Sequence, residues 1–120
     1  MAAAYLNDLA GDRYEALSAG VEPVGGPHPE AAATMAEDGI ELDGAPPTRL
    51  TPELVRSADR IVGLGGSVQD WCPDLVVPAD TWGIPDPAGR PVAEVRVIRE
   101  ATRRLVERLI ARLDAESAVR

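Results

Sequence analysis

The chain has 120 residues, an apolar content of 45% and one cysteine, Cys72. This size and composition predict a single domain over residues 1–120 with its own hydrophobic core. One cysteine excludes an internal disulfide and a cysteine-based zinc cluster. No apolar run is long enough to cross a membrane, and Asn7 and Asp8 interrupt the first segment, which therefore lacks the pattern of a signal peptide. We therefore expect a cytoplasmic protein without a membrane partner.

The net charge of −8 is distributed unevenly along the chain. Residues 1–89 contain 15 acidic residues against four arginines, a net charge of −11, whereas residues 90–120 contain eight arginines against five acidic residues, a net charge of +3. An acidic body lacks the basic surface that nucleic-acid binding requires, so nucleic acid is not an expected partner. The arginines near the carboxyl end are interpreted as the solvated face of a helix.

The first half of the chain is predicted to alternate between helices and strands. A short helix covers residues 2–9, and the alternating residues 14–18 have the pattern of a strand. A Gly/Pro loop follows, in which His28 is expected to face solvent. A second helix begins at Pro29, because proline is accepted in a first helical turn, and Gly39 is suited to end it after Glu37.

The second half continues the alternation. Thr51 is predicted to cap a helix that runs to about Ser57, and the apolar residues 60–64 suit an internal strand of a parallel sheet. Short strands are possible at residues 75–77 and 79–82, and a long helix starts at Pro91 or Val92 and frays after residue 114. Its apolar stripe consists of Val95, Ile98, Thr102, Leu105, Leu109 and Leu113. This order of elements is typical of an α/β domain with a parallel sheet.

The segment before the last helix contains the strongest candidate for a catalytic group. Asp86 lies between Pro85 and Pro87, and each proline restricts its own φ and the conformation of the residue before it. A carboxylate held in this way could be a positioned proton donor. The alternative is that Asp86 only stabilises a turn, because Asp-Pro sequences favour turns.

Five segments of the chain match a known family in order: Met1–Leu6; Leu9–Arg13 with Ser18–Gly20; Met35–Ile40; Ala58–Val62; and Trp82 with Asp86–Gly89. Together they resemble the low-molecular-weight protein tyrosine phosphatase family and, within it, the arsenate reductases. The resemblance covers nearly the whole chain. It implies a flavodoxin-like three-layer α/β sandwich, an oxyanion or phosphoester substrate, and a general-acid role for Asp86.

The sequence departs from the family at the nucleophile. In the family, a loop of Cys, five residues and Arg joins the first strand to the first helix, and its backbone N–H groups bind an oxyanion and lower the thiol pKa. Residues 1–120 contain no such sequence, and Met1 falls just after the position of the loop. The resemblance therefore implies a chain that lacks the first strand and the loop, and that is inactive as it stands.

The redox cysteines are also incomplete relative to the thioredoxin-linked arsenate reductases. Gly65 stands at the position of the first relay cysteine, whereas Cys72, before Pro73, fits the second. The branch of the family that uses a low-molecular-weight thiol needs only the loop cysteine, so a thiol reductant is the co-substrate expected of a full-length enzyme. No cofactor or metal is implied. Alternatively, Cys72 is simply a small buried hydrophobic residue.

Three interpretations of the function remain open. In the first, the true start lies upstream, and the full-length protein acts on arsenate or on a phosphoester, between which the sequence does not decide. In the second, the short chain is a non-catalytic or vestigial relative that binds a partner. The third is an acidic binding domain without a family link.

Loss of a strand also has consequences for association. In the resembled family the first strand is central, between the strands predicted at residues 14–18 and 60–64. Without it, two strand edges are exposed, and an exposed edge can pair with another chain. We therefore expect a homo-oligomer formed through these edges, or low stability, rather than a stable monomer.

Overall fold

The computed structural model describes residues 1–19, 29–42, 48–64 and 79–118. The predictions for His28, for Gly65, for Cys72 and for a strand at residues 75–77 lie outside these residues. The described residues form two compact units, one from residues 1–18, 29–42 and 87–118, and the other from residues 48–64 and 79–86 together with Ala19. Their elements are α1 (Ala2–Ala10), α2 (Pro29–Glu37), α3 (Pro52–Ser57), β1 (Ile61–Leu64), β2 (Ala79–Trp82) and α4 (Val92–Ala118).

The first unit is built on the long helix α4, against which both α1 and α2 pack. The predicted apolar stripe of α4 is largely confirmed, since Val95, Ile98 and Leu109 are buried. Val106 is buried as well, whereas Leu105 and Leu113 are only half-buried. The polar member of the stripe, Thr102, satisfies its buried hydroxyl by donating to the carbonyl of Ile98, at 2.8 Å. The buried side chains of this face of α4 thus form part of the core of the first unit.

Helix α2 ends at the glycine that the sequence indicated. Gly39 has φ +76°, a conformation that glycine adopts without steric cost. The N–H of Gly39 donates to the carbonyl of Ala36, and the N–H of Ile40 donates to that of Met35. These two bonds define a Schellman motif, which satisfies carbonyl groups left unpaired at a helix end.

The strand predicted at residues 14–18 is wrong, because these residues belong to no strand in the structure. The N–H of Tyr14 donates instead to the carbonyl of Ala10, at the end of α1. The side chain of Asn7 accepts from the N–H of Ala16 at 2.9 Å and donates to its carbonyl at 3.1 Å. A side-chain amide on α1 thus provides the hydrogen bonds that a neighbouring strand would otherwise supply.

The second unit contains the sheet. Thr51 caps α3, as predicted, because its hydroxyl accepts from the N–H of Leu54 at 3.1 Å, with Pro52 in the first turn. Strands β1 and β2 are parallel, with Ile61 opposite Ala79 and Leu64 opposite Trp82. The prediction of an α/β fold with parallel strands is therefore confirmed, and these are the two strands of the described residues. Whether residues 1–120 behave as one domain, and whether strand edges mediate association, stay predictions.

Candidate active site

The candidate proton donor follows the sheet directly. Because β1 and β2 are parallel, their carboxyl ends lie at the same edge, and Asp86 comes four residues after the end of β2 at Trp82. In parallel α/β sheets this is the edge at which ligands bind. The side chain of Asp86 is exposed.

Two turns shape the chain around Asp86. Before it, the N–H of Ile84 donates to the carbonyl of Trp82 at 2.9 Å, which tightens the exit from β2. After it, the N–H of Arg90 donates to the carbonyl of Pro87 at 3.2 Å, and Gly89 has φ +70°, a value that favours glycine. Asp86 therefore lies on a short segment with fixed turns on both sides. Such a segment can present an exposed carboxyl group to a substrate.

Of the two residues proposed from sequence, the structure describes only one. Asp86 lies in the turn segment after a strand, as expected, and its role as a proton donor stays a prediction. Cys72 lies outside the described residues, so the structure does not relate it to Asp86. Among the described residues, no group of three or more histidine, cysteine, aspartate or glutamate side chains is arranged to hold a metal ion.

A polar cluster in the first unit was not expected from the sequence. The hydroxyl of Tyr5, a residue that is 1% exposed, donates to Asp38 at 2.6 Å. Asp38 also lies 3.6 Å from Arg99 and 3.9 Å from Arg103. Burial and the bond to Asp38 raise the pKa of the Tyr5 phenol, which therefore stays neutral and remains a donor. This cluster ties α1 and the end of α2 to α4.

Glu37 forms the outer part of the same network. It accepts hydrogen bonds from Arg96 and Arg99, each at 2.7 Å at its shortest. The bond from Arg96, followed by that from Arg99, lowers the pKa of Glu37 to about 2. Arg99 also donates to the carbonyl of Thr34 at 2.8 Å. The guanidinium group of Arg99 thus contacts the backbone carbonyl of Thr34 and the carboxylates of Glu37 and Asp38.

Another set of hydrogen bonds joins the segment after α1 to the carboxyl-terminal part of α4. Arg13 donates to both carboxylate oxygens of Asp114, at 3.1 and 3.3 Å, and the hydroxyl of Tyr14 donates to the same group at 2.8 Å. The bond from Tyr14, assisted by Arg13, lowers the pKa of Asp114. These partners are about one hundred residues apart in the chain, so no local sequence pattern indicates them.

The fold and the turn segment together define a parallel α/β protein with an exposed carboxylate near the carboxyl edge of its sheet. A family model described as low molecular weight phosphotyrosine protein phosphatase matches residues 1–119, and the chain belongs to this family. None of the helices in the described part of the chain is long and apolar enough to span a membrane.

Individual relatives agree with this assignment. Arsenate reductase 2 of Staphylococcus haemolyticus is 28% identical over 109 residues, which cover 89% of this chain and 82% of the relative. The YwlE arginine phosphatase from Geobacillus stearothermophilus has a similar structure, with a TM-score of 0.85, 25% identity, and coverage of 98% of this chain and 85% of that chain. A thioredoxin-dependent arsenate reductase of Corynebacterium glutamicum gives a TM-score of 0.76 at 26% identity, covering 96% of this chain and 55% of that chain. The flavodoxin-like α/β fold class is thereby confirmed.

Proposed function

We propose that the chain is an arsenate reductase-like or low-molecular-weight phosphatase-like protein in which Asp86 is the general acid, and that residues 1–120 alone turn over neither arsenate nor a phosphoester. The observation that supports the first part is the position of Asp86, exposed at the carboxyl edge of a parallel sheet and held between two turns. A general acid needs this kind of fixed, accessible placement, because it must reach the leaving-group oxygen as that oxygen takes up negative charge.

The second part follows from the chemistry that Asp86 would assist. In this family a cysteine thiolate attacks phosphorus or arsenic, and the bond to the leaving oxygen breaks as the acid protonates that oxygen. The attack requires a loop of Cys, five residues and Arg, and residues 1–120 contain no such sequence. Without a nucleophile and an oxyanion site, Asp86 has no departing group to protonate.

The substrate is proposed at the level of its class, an oxyanion or a phosphoester. Curated relatives are named arsenate reductases, and one similar structure is named an arginine phosphatase. For the reductase, Cys72 would be the single relay cysteine in these residues, since glycine stands at position 65. We therefore expect a low-molecular-weight thiol as the reductant.

The first experiment assays the purified 120-residue chain on three substrates: an aryl phosphate, phosphoarginine, and arsenate with a thiol reductant. We expect no turnover above that of a blank. Turnover that is abolished by Cys72→Ser would show that Cys72 is itself a nucleophile and would overturn the proposal.

The second experiment tests Asp86 in a form that can react. If the genome encodes an in-frame upstream segment with Cys, five residues and Arg, the extended protein should be active, and Asp86→Asn should slow the reaction about 10²–10⁴-fold with a poor leaving group. The matched control is Asp59→Asn, another exposed carboxylate of the second unit, which should leave the rate unchanged. Equal rates for Asp86→Asn and the wild type would reject the role of Asp86, and an inactive extended protein would favour a non-catalytic binding relative.

A further inference from the structure

The face of α4 that points away from the core of the first unit is made of four alanines, one valine and two arginines. Every residue on it is exposed, and Val97, at 69%, is the most exposed large hydrophobic residue of the described chain. The helical period places the members of this outer face on one side, opposite Val95, Val106 and Leu109. They are Ala93, Val97, Ala101, Arg104, Arg108, Ala111 and Ala115.

Arg104 and Arg108 differ from the other arginines of α4. Arg96 and Arg99 bind Glu37, and Arg103 lies 3.4 Å from Glu107. Within the described part of the chain, Arg104 and Arg108 contact no carboxylate. In a chain with a net charge of −8, two exposed cations one helical turn apart that form no ion pair within the described residues indicate a surface that receives carboxylates from another molecule.

Two carboxylates also lie along the edges of the outer face. Glu94 and Glu100 flank the outer face on opposite sides, one helical turn or more before the two arginines. Among the described residues, Glu94 contacts only Arg90, at 3.5 Å and exposed to solvent, and such contacts contribute little. Glu100 accepts from Arg99 at 3.1 Å, and its carboxylate has lone pairs for a second donor.

This arrangement is complementary to itself under two-fold symmetry. When two α4 helices lie antiparallel, with the axis near Ala101, Glu94 of one copy comes level with Arg108 of the other, and Glu100 comes level with Arg104. Each pair is matched to within about one residue, or roughly 1.5 Å along the helix. The two members of each pair lie on the same edge of the face, as they must, because a two-fold axis perpendicular to the helices keeps each edge facing its equivalent.

We propose that two copies of the chain form an antiparallel dimer through the outer faces of α4. Ala101 at the axis allows the helices to approach closely, and Val97 packs on the aliphatic stems of the arginines of the second copy. Glu100 and Glu107 border the arginines and would repel an extended polyanion, which favours a second copy over nucleic acid. The paired surface is small, so we expect a dissociation constant on the order of 10 µM. This dimer does not depend on Asp86 or on catalysis.

Charge exchange tests the proposed pairing directly. Arg108→Glu places four acidic groups on one edge of the paired helices, and Glu94→Arg places four basic groups there, so each variant alone should be at least ~10-fold weaker as a dimer by sedimentation velocity. An equimolar mixture restores two opposite-charge pairs per dimer. We expect the mixture to regain the affinity of the wild type, and we expect added salt to weaken it.

The control is Arg49→Glu, which reverses an exposed arginine of the second unit and should leave the wild-type affinity unchanged. Circular dichroism verifies that each variant is folded, which is expected because all the substituted side chains are exposed. A wild-type chain that stays monomeric well above the expected dissociation constant would overturn the proposal. So would an oligomer that is insensitive to both variants, because its interface would then lie elsewhere, for example at a strand edge.

Discussion

Among the residues that the structure describes, the two units of the molecule differ in the contacts that stabilise them. Of the eleven buried apolar side chains of the described residues, ten belong to the first unit, and Val55 is the member from the second. The first unit also contains the networks around Glu37, Asp38 and Asp114, which join residues far apart in the chain. The described part of the second unit contains a two-stranded sheet and one six-residue helix. The candidate catalytic group, Asp86, belongs to this second unit.

The difference suggests a division of roles, in which the first unit provides most of the stability and the second unit carries the candidate catalytic group. Buried apolar area and buried hydrogen bonds are the main sources of stability, and among the described residues they are concentrated around α4. A proton donor must instead be exposed to its substrate, and exposed segments with few buried contacts contribute little to stability. We therefore expect substitutions in the first unit to change the free energy of unfolding, and substitutions near Asp86 to change the rate of an extended, active protein rather than stability.

The largest effect on stability is expected from a cavity in the first unit. Met35 is 0% exposed, and Met35→Ala should lower the free energy of unfolding by about 2–5 kcal/mol, because the packed surroundings collapse only partly. The matched variant in the second unit is Leu64→Ala, at the exposed end of β1, which should change it by less than ~0.5 kcal/mol. Urea unfolding measures both, and equal losses would contradict the proposed division.

Much of the secondary structure was predictable, because residues close together in the sequence determine it. Pro29 and Gly39 bound α2, Thr51 caps α3, and β2 and the start of α4 lie where the residue patterns place them. These features depend on residues within a few positions of each other. The stripe of α4 was right in direction and inaccurate in detail, since Val106 rather than Leu105 is buried. Which flank of a stripe is buried depends on the neighbouring helices, and no local pattern encodes it.

The failures come from contacts between distant residues. Residues 14–18 have the alternating pattern of a strand, but in the structure they form none. The side chain of Asn7 instead binds the backbone of Ala16. Tyr5 and Asp38 are 33 positions apart, and Glu37 and Arg96 are 59 apart. The sequence offered only the presence of a tyrosine in an apolar helix and an excess of arginines in α4. Asp86 was identified because two prolines and a glycine mark its segment locally.

A smaller effect is expected from one hydroxyl of the buried cluster. Tyr5→Phe removes the donor 2.6 Å from Asp38 and should lower the free energy of unfolding by about 1–2 kcal/mol, since Asp38 keeps Arg99 and Arg103 nearby. Tyr14→Phe is the control, because it removes a similar bond to Asp114, whose side chain is 45% exposed and can bind water instead. A loss for Tyr14→Phe as large as that for Tyr5→Phe would show that burial of the cluster adds nothing.

The smallest effect is a pH dependence that comes from Glu37 in the first unit. The pKa of Glu37 is lowered from 4.5 to about 2 in the folded chain, chiefly by Arg96 and Arg99. As the pH falls below 4.5, the unfolded chain therefore binds the proton first. The stabilisation by Glu37 is complete above pH 4.5 and is lost progressively as the pH falls toward 2.

Denaturant unfolding of Glu37→Gln against the wild type measures this contribution. The variant should be less stable near neutral pH, and the difference should shrink as the pH is lowered through this range. Glu15→Gln is the control, because Glu15 is exposed and no arginine contacts it in the described residues, so its difference from the wild type should show no such trend. The measurements require dilute protein, since the sequence pI is about 4.5. A difference for Glu37→Gln that stays constant down to pH 2 would mean that the arginines hold the side chain without selecting its ionised form.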